Sequence, residues 1–112
     1  QVLPFFLAQV FASFEKKFQK FEADAKDRES LVFKDIPFPS ADEDYFDGLE
    51  AALRAAGDKA KRVIRTLYLK WHPDKFMGRY RAKLSDEDIE MVQKRVTEVQ
   101  QALVAIKEKL SL

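Results

Sequence analysis

From Leu7 onward the apolar positions fall at Leu7, Phe11, Phe14, Phe18 and Phe21, in alternating steps of four and three. That interval holds side chains on one face of a helix. It predicts a helix over about residues 4–26, with Glu15, Lys16, Lys17, Lys20 and Glu22 on the other faces. The stripe suits burial against the rest of the chain or docking on a partner protein; a polar face of mixed sign argues against insertion into a membrane surface. Leu7, Phe11, Phe14, Phe18 and Phe21 are therefore a candidate partner-docking stripe. The polar run Asp24 to Ser30 closes this unit, dividing the chain into residues 1–30 and 31–112.

In Leu31 to Ser40, two prolines spaced by one residue, Pro37 and Pro39, forbid a helix and hold an extended connector. Ser40 with Glu43 makes a capping box for a helix of about 41–56, whose apolar residues include Tyr45, Phe46, Leu49 and Leu53. Gly57 is placed to end it. Asp58 is placed to cap the next, of about 58–71, in which Val63, Ile64, Leu67, Tyr68 and Trp71 recur at helical spacing until Pro73. A loop over 72–84 is expected after the proline. Ser85 with Asp88 then opens a long last helix of about 85–110, with its stripe at Ile89, Val92, Val96, Val99, Leu103 and Ile106. Both late helices carry apolar stripes, so they are expected to pair as an antiparallel hairpin. No segment alternates like a strand, and the fold class is all-α.

Composition narrows the chemistry. The 112 residues are 46% hydrophobic and 35% charged, with no cysteine and a single histidine, His72. Thiol nucleophiles, disulfides and thiolate metal sites are excluded, and one imidazole cannot assemble a zinc centre. Without a glycine-rich phosphate loop or paired carboxylates near His72, no enzyme activity, metal or cofactor is expected. No run reaches the roughly 18 apolar residues of a membrane span, and no secretory signal pattern is present, so the protein is expected to be intracellular.

The net charge of +1 conceals a strong asymmetry. Residues 59–83 carry nine Lys or Arg against one acid, Asp74, whereas residues 1–58 carry seven against twelve and residues 84–112 four against six. The basic stretch has few of the exposed aromatics or glycines that accompany nucleic-acid binding. An acidic protein surface is the better match, with charge steering the encounter.

At the end of this basic helix stands Lys70-Trp71-His72-Pro73-Asp74-Lys75. A basic helix ending in His-Pro-Asp resembles helix II and the signature loop of J-domains, the DnaJ-type co-chaperones of 70-kDa heat-shock proteins. Lys61, Arg62, Val63, Ile64, Arg65, Thr66, Leu67, Lys70 and Trp71 occupy the positions of that pattern, with Ile64 in place of the usual Tyr and Thr66 in place of a basic residue. Val96, Val99, Ala102, Leu103, Ala105 and Ile106 fall on the pattern of helix III. The loop is longer than usual, and the customary opening of helix I is missing. In its place stands Asp35-Ile36-Pro37-Phe38-Pro39. This segment, followed by Trp71-His72-Pro73-Asp74-Lys75-Phe76, is similar to the J-like C-terminal region of the NF-kappa-B inhibitor-like protein family, over about Phe14 to Leu110.

The resemblance implies a domain that docks on a 70-kDa heat-shock chaperone and stimulates its ATPase. Asp74 would be the trigger, His72 and Pro73 would set the turn, and Lys61, Arg62, Arg65 and Lys70 would supply docking charge. The alternative is a J-like fold used as a structural or adaptor module among the subunits of a larger assembly.

Overall fold

A computed structural model describes residues 2–39 and 45–112, with side chains in the first helix described at Gln9 and from Phe11 onward. Among the described residues there are five α-helices: α1 (Val2–Asp27), α2 (Tyr45–Ala56), α3 (Ala60–Lys70), α4 (Pro73–Tyr80) and α5 (Asp86–Lys109). Short 3-10 turns lie at Phe33–Asp35, Gly57–Lys59 and Arg81–Lys83. No strand occurs among the described residues; an isolated bridge joins Leu31 and Leu84, so the fold is all-α. Among the described residues no helix is long and apolar enough to cross a membrane. The proposed Ser40–Glu43 capping box lies outside the described residues, as does the side chain of Leu7.

The stretch 72–84, expected as a loop, is helical over most of its length. Pro73 stops α3, but it also stands at the first position of α4, where its missing N–H would have no intrahelical partner and its fixed φ suits the helix. The buried side chains Phe76, Met77 and Tyr80 then recur at helical spacing and hold α4 to the core. Two expected caps are not made. Ser85 precedes α5 without a side-chain cap bond, and the Asp88 carboxylate instead accepts the Phe33 N–H at 3.1 Å. A 3-10 turn replaces the Asp58 cap, and Lys59 is the N-cap of α3, with no side-chain bond. Gly57 ends α2 as expected, at φ 58°, a left-handed conformation that glycine adopts without strain.

One core joins every helix. Phe14, Phe18 and Phe21 of α1 belong to the same buried cluster as Leu49 and Leu53 of α2, Ile64 and Leu67 of α3, Phe76 of α4 and Val92, Val96 and Val99 of α5. The N-terminal unit therefore shares its core with residues 31–112. The aromatic stripe expected to dock a partner faces inward. Phe18 is 2% exposed and sits 4.9 Å from the Trp71 ring; Phe21 meets Tyr80 at 5.2 Å, and Phe14 and the half-buried Phe11 meet Tyr45. Covering that much aromatic surface is worth several kcal/mol, about 1.5–3 per fully buried side chain, and this chain supplies its own partners for it. At its C-terminal end α1 is pinned to the α4–α5 junction. Lys83 donates to the Ala25 carbonyl, and Leu31 N–H donates to the Lys83 carbonyl at 2.8 Å.

Candidate functional site

The site is a corner between α3 and α4, built by a change of backbone direction over two residues. Trp71 closes α3, its N–H donating to the Leu67 carbonyl at 3.0 Å. His72 then turns to an extended conformation, φ −64° and ψ 125°, and becomes the N-cap of α4. Its Nδ1 accepts the Asp74 N–H at 3.2 Å, while its carbonyl accepts the first helical bond from Phe76 N–H at 2.8 Å. An acceptor at Nδ1 places the ring hydrogen of the neutral imidazole on Nε2.

Below the corner lies an aromatic floor. Trp71 and Phe76 stack at 5.5 Å and 9°, Phe76 meets Tyr80 at 4.8 Å, and Phe38 of the proline-rich connector covers Trp71 at 5.6 Å. Trp71 and Phe76 are buried. The indole Nε1 has no hydrogen-bond partner among the described residues, and the ring is held by aromatic packing. Arg95 of α5 fixes the connector by donating to the Pro39 carbonyl, with its guanidinium over the Phe38 ring at 6.0 Å. Against this floor the corner has little freedom to move. Asp74, in the first turn of α4, is exposed and lies at the helix end that favours negative charge.

The cations chosen from sequence divide into two groups. Lys61, Arg62 and Arg65 are exposed on α3, whose buried residues are Ala60, Ile64 and Leu67. None of the three is in an ion pair among the described residues. Lys70 is different. Its Nζ lies 3.0 Å from Glu15 Oε1 of α1, with side-chain exposures of only 16% and 22%, and 4.7 Å from the Phe18 ring. Tyr45 completes the arrangement by donating its hydroxyl to Glu15 Oε2 at 3.2 Å. Lys70 is therefore a correction to the expected docking set: it serves the α1–α3 contact and offers little charge to a partner. Burial, then the charge and hydrogen bond of Glu15, push the Tyr45 hydroxyl far above its ordinary range.

Two residues outside the predicted site matter here. Glu15 fixes the end of α3 from 55 positions away, and Arg95 fixes the connector beneath the corner; a single sequence carries no signal linking either to its partner. Among the described residues no group of three or more His, Cys, Asp or Glu could hold a metal ion. The single imidazole is engaged as the cap of α4, and the corner presents the exposed Asp74 beside the exposed cations of α3.

No solved structure matches the chain. A family model does: the NF-kappa-B inhibitor-like protein 1 C-terminal domain, over residues 49–111, a span running from α2 to the end of α5.

Proposed function

The chain belongs to the NF-kappa-B inhibitor-like protein 1 C-terminal domain family, and on that premise we propose that it is a J-like docking module. In this reading α3 and α5 form the antiparallel hairpin of a J-domain. The His72-Pro73-Asp74 corner and the basic face of α3 dock on a 70-kDa heat-shock chaperone and stimulate its ATPase. The observation that carries the reading is the pairing of an exposed Asp74 on a rigid corner with exposed cations, Lys61, Arg62 and Arg65, that have no acidic partner among the described residues.

The physical logic is that of a two-part contact. Like charges along one helix face repel one another, and an acidic surface relieves that repulsion while steering the approach. The corner then acts as a fixed probe. His72 caps α4 and Pro73 fixes φ, so the backbone that carries Asp74 is set before the partner arrives and less entropy is lost on binding. The domain itself performs no bond chemistry.

Single-turnover ATP hydrolysis by 70-kDa chaperones of several compartments tests the proposal. The chain should accelerate hydrolysis, Asp74→Asn should abolish the acceleration, and Arg65→Ala should weaken it more at low salt than at high, where the charge is already screened. A folded chain that accelerates none of them would overturn the co-chaperone reading and leave a J-like adaptor within a larger assembly.

A further inference from the structure

A second concave surface lies away from Asp74. Between α3 and the C-terminal turns of α5 runs an open groove of about 850 Å³, whose apolar lining is Ile64, Leu69, Val104 and Leu112. Lys61, Arg65 and Lys107 line it as well, opposed by the single acid Glu108. Ile64 is buried, whereas Leu69 is 41% exposed, one of the few large apolar side chains left open to water. An apolar wall beside three cations is the reverse of what an unoccupied surface favours: water wets the leucine poorly, and the cations have no carboxylate within 4 Å among the described residues.

We propose that this groove docks an acidic amphipathic segment of a partner protein. Its apolar side chains would lie against Leu69 and Val104, and its carboxylates would meet Lys61, Arg65 and Lys107. Charge complementarity selects this occupant. A second copy of the chain would bring the same basic groove to a two-fold interface and set like charges against each other. A nucleic acid would satisfy the cations but leave Leu69 and Val104 against a polar backbone. A helical segment with anchors one turn apart supplies both needs, with the anchors giving affinity and the flanking acids giving orientation. The groove shares Lys61 and Arg65 with the basic face of α3, but Asp74 is not in it, and peptide binding is read without a chaperone present.

The test is a titration of the isotopically labelled chain with three short synthetic peptides, followed by amide chemical shifts. One carries two leucines a helical turn apart among glutamates, the second has lysines for the glutamates, and the third has alanines for the leucines. The acidic leucine peptide should bind saturably and shift the amides of Ile64, Leu69 and Val104. Its affinity should fall by about 10-fold between ~50 and ~200 mM salt, and the other two peptides should bind at least ~10-fold more weakly. Arg65→Glu with Lys107→Glu should remove binding while the helical spectrum is unchanged; Leu69→Ala should weaken it by about 5-fold. Equal binding of the lysine peptide, shifts confined to other faces, tighter binding of single-stranded oligothymidine, or a chain dimer that Leu69→Glu dissociates would each overturn the proposal.

Discussion

Replacing Lys70 by methionine should unfold the protein more readily than removing any of the exposed cations of α3. The Nζ–Oε1 separation of 3.0 Å corresponds to a gross attraction of about 5 kcal/mol at an effective dielectric of ~20. Most of that is offset by the desolvation of two partly buried ions. We expect a net coupling between the two side chains of about 1–2 kcal/mol, above the ~0–1 typical of exposed pairs. Methionine keeps the aliphatic stem over Phe18, and Glu15→Gln keeps an acceptor for the Tyr45 hydroxyl, so the two variants isolate the charge pair. The assay is urea denaturation followed by the fluorescence of Trp71, the only tryptophan of the chain. Lys70→Met should cost about 1–3 kcal/mol, lowering Tm by roughly 5–15 °C in a domain of this size, and Arg65→Ala should stay within about 0.5. The double variant should cost less than the two singles together by about 1–2 kcal/mol. A coupling below ~0.3 kcal/mol, or an Arg65→Ala variant as unstable as Lys70→Met, would refute the division of the basic residues into internal and free groups.

Three further outcomes are expected. Phe18→Ala should lose about 3–5 kcal/mol by opening a cavity beside Trp71; a loss under ~1 kcal/mol in the same denaturation assay would return the α1 stripe to the role of a docking surface. His72→Ala should cost about 0.5–2 kcal/mol as the cap of α4 is lost, and His72→Asn, which can accept the same N–H, should recover most of it; equal losses would mean that the cap is not what His72 contributes. The folded chain holds the Tyr45 hydroxyl protonated well above the ordinary tyrosine range, and burial pushes Tyr80 in the same direction. The unfolded chain therefore gives up these protons first, and stability is complete below pH ~10 and lost as pH climbs past it. The urea midpoint should fall above pH ~10, and a flat midpoint up to pH ~11 would contradict the burial of Tyr45.

Much of this was legible in the spacing of residues. The stripes of α1, α3 and α5 are long and regular, and Gly57 marks a left-handed end that few other residues tolerate. Pro73 misled because one residue type has two meanings: it ends the helix before it and favours the first position of a helix after it. The i, i+4 pair Phe76 and Tyr80 was the available signal for α4. The charges were legible only as a count. Lys70 and Arg65 look alike in sequence, and what separates them is Glu15, brought from α1 by the packing of Phe18 on Trp71. Likewise, a stripe of phenylalanines records that a face is apolar, not whether its cover comes from this chain or another.

The inward-facing stripe of α1 also has a history in time. During synthesis α1 is made before its partners: Phe18 needs Trp71, 53 residues later, and Phe21 needs Tyr80, 59 residues later. At ~5–20 residues per second Phe18 and Phe21 wait several seconds for these partners, exposed meanwhile to other hydrophobic surfaces. The face of α1 that Trp71 and Tyr80 cover in the native fold is thus made before its cover exists.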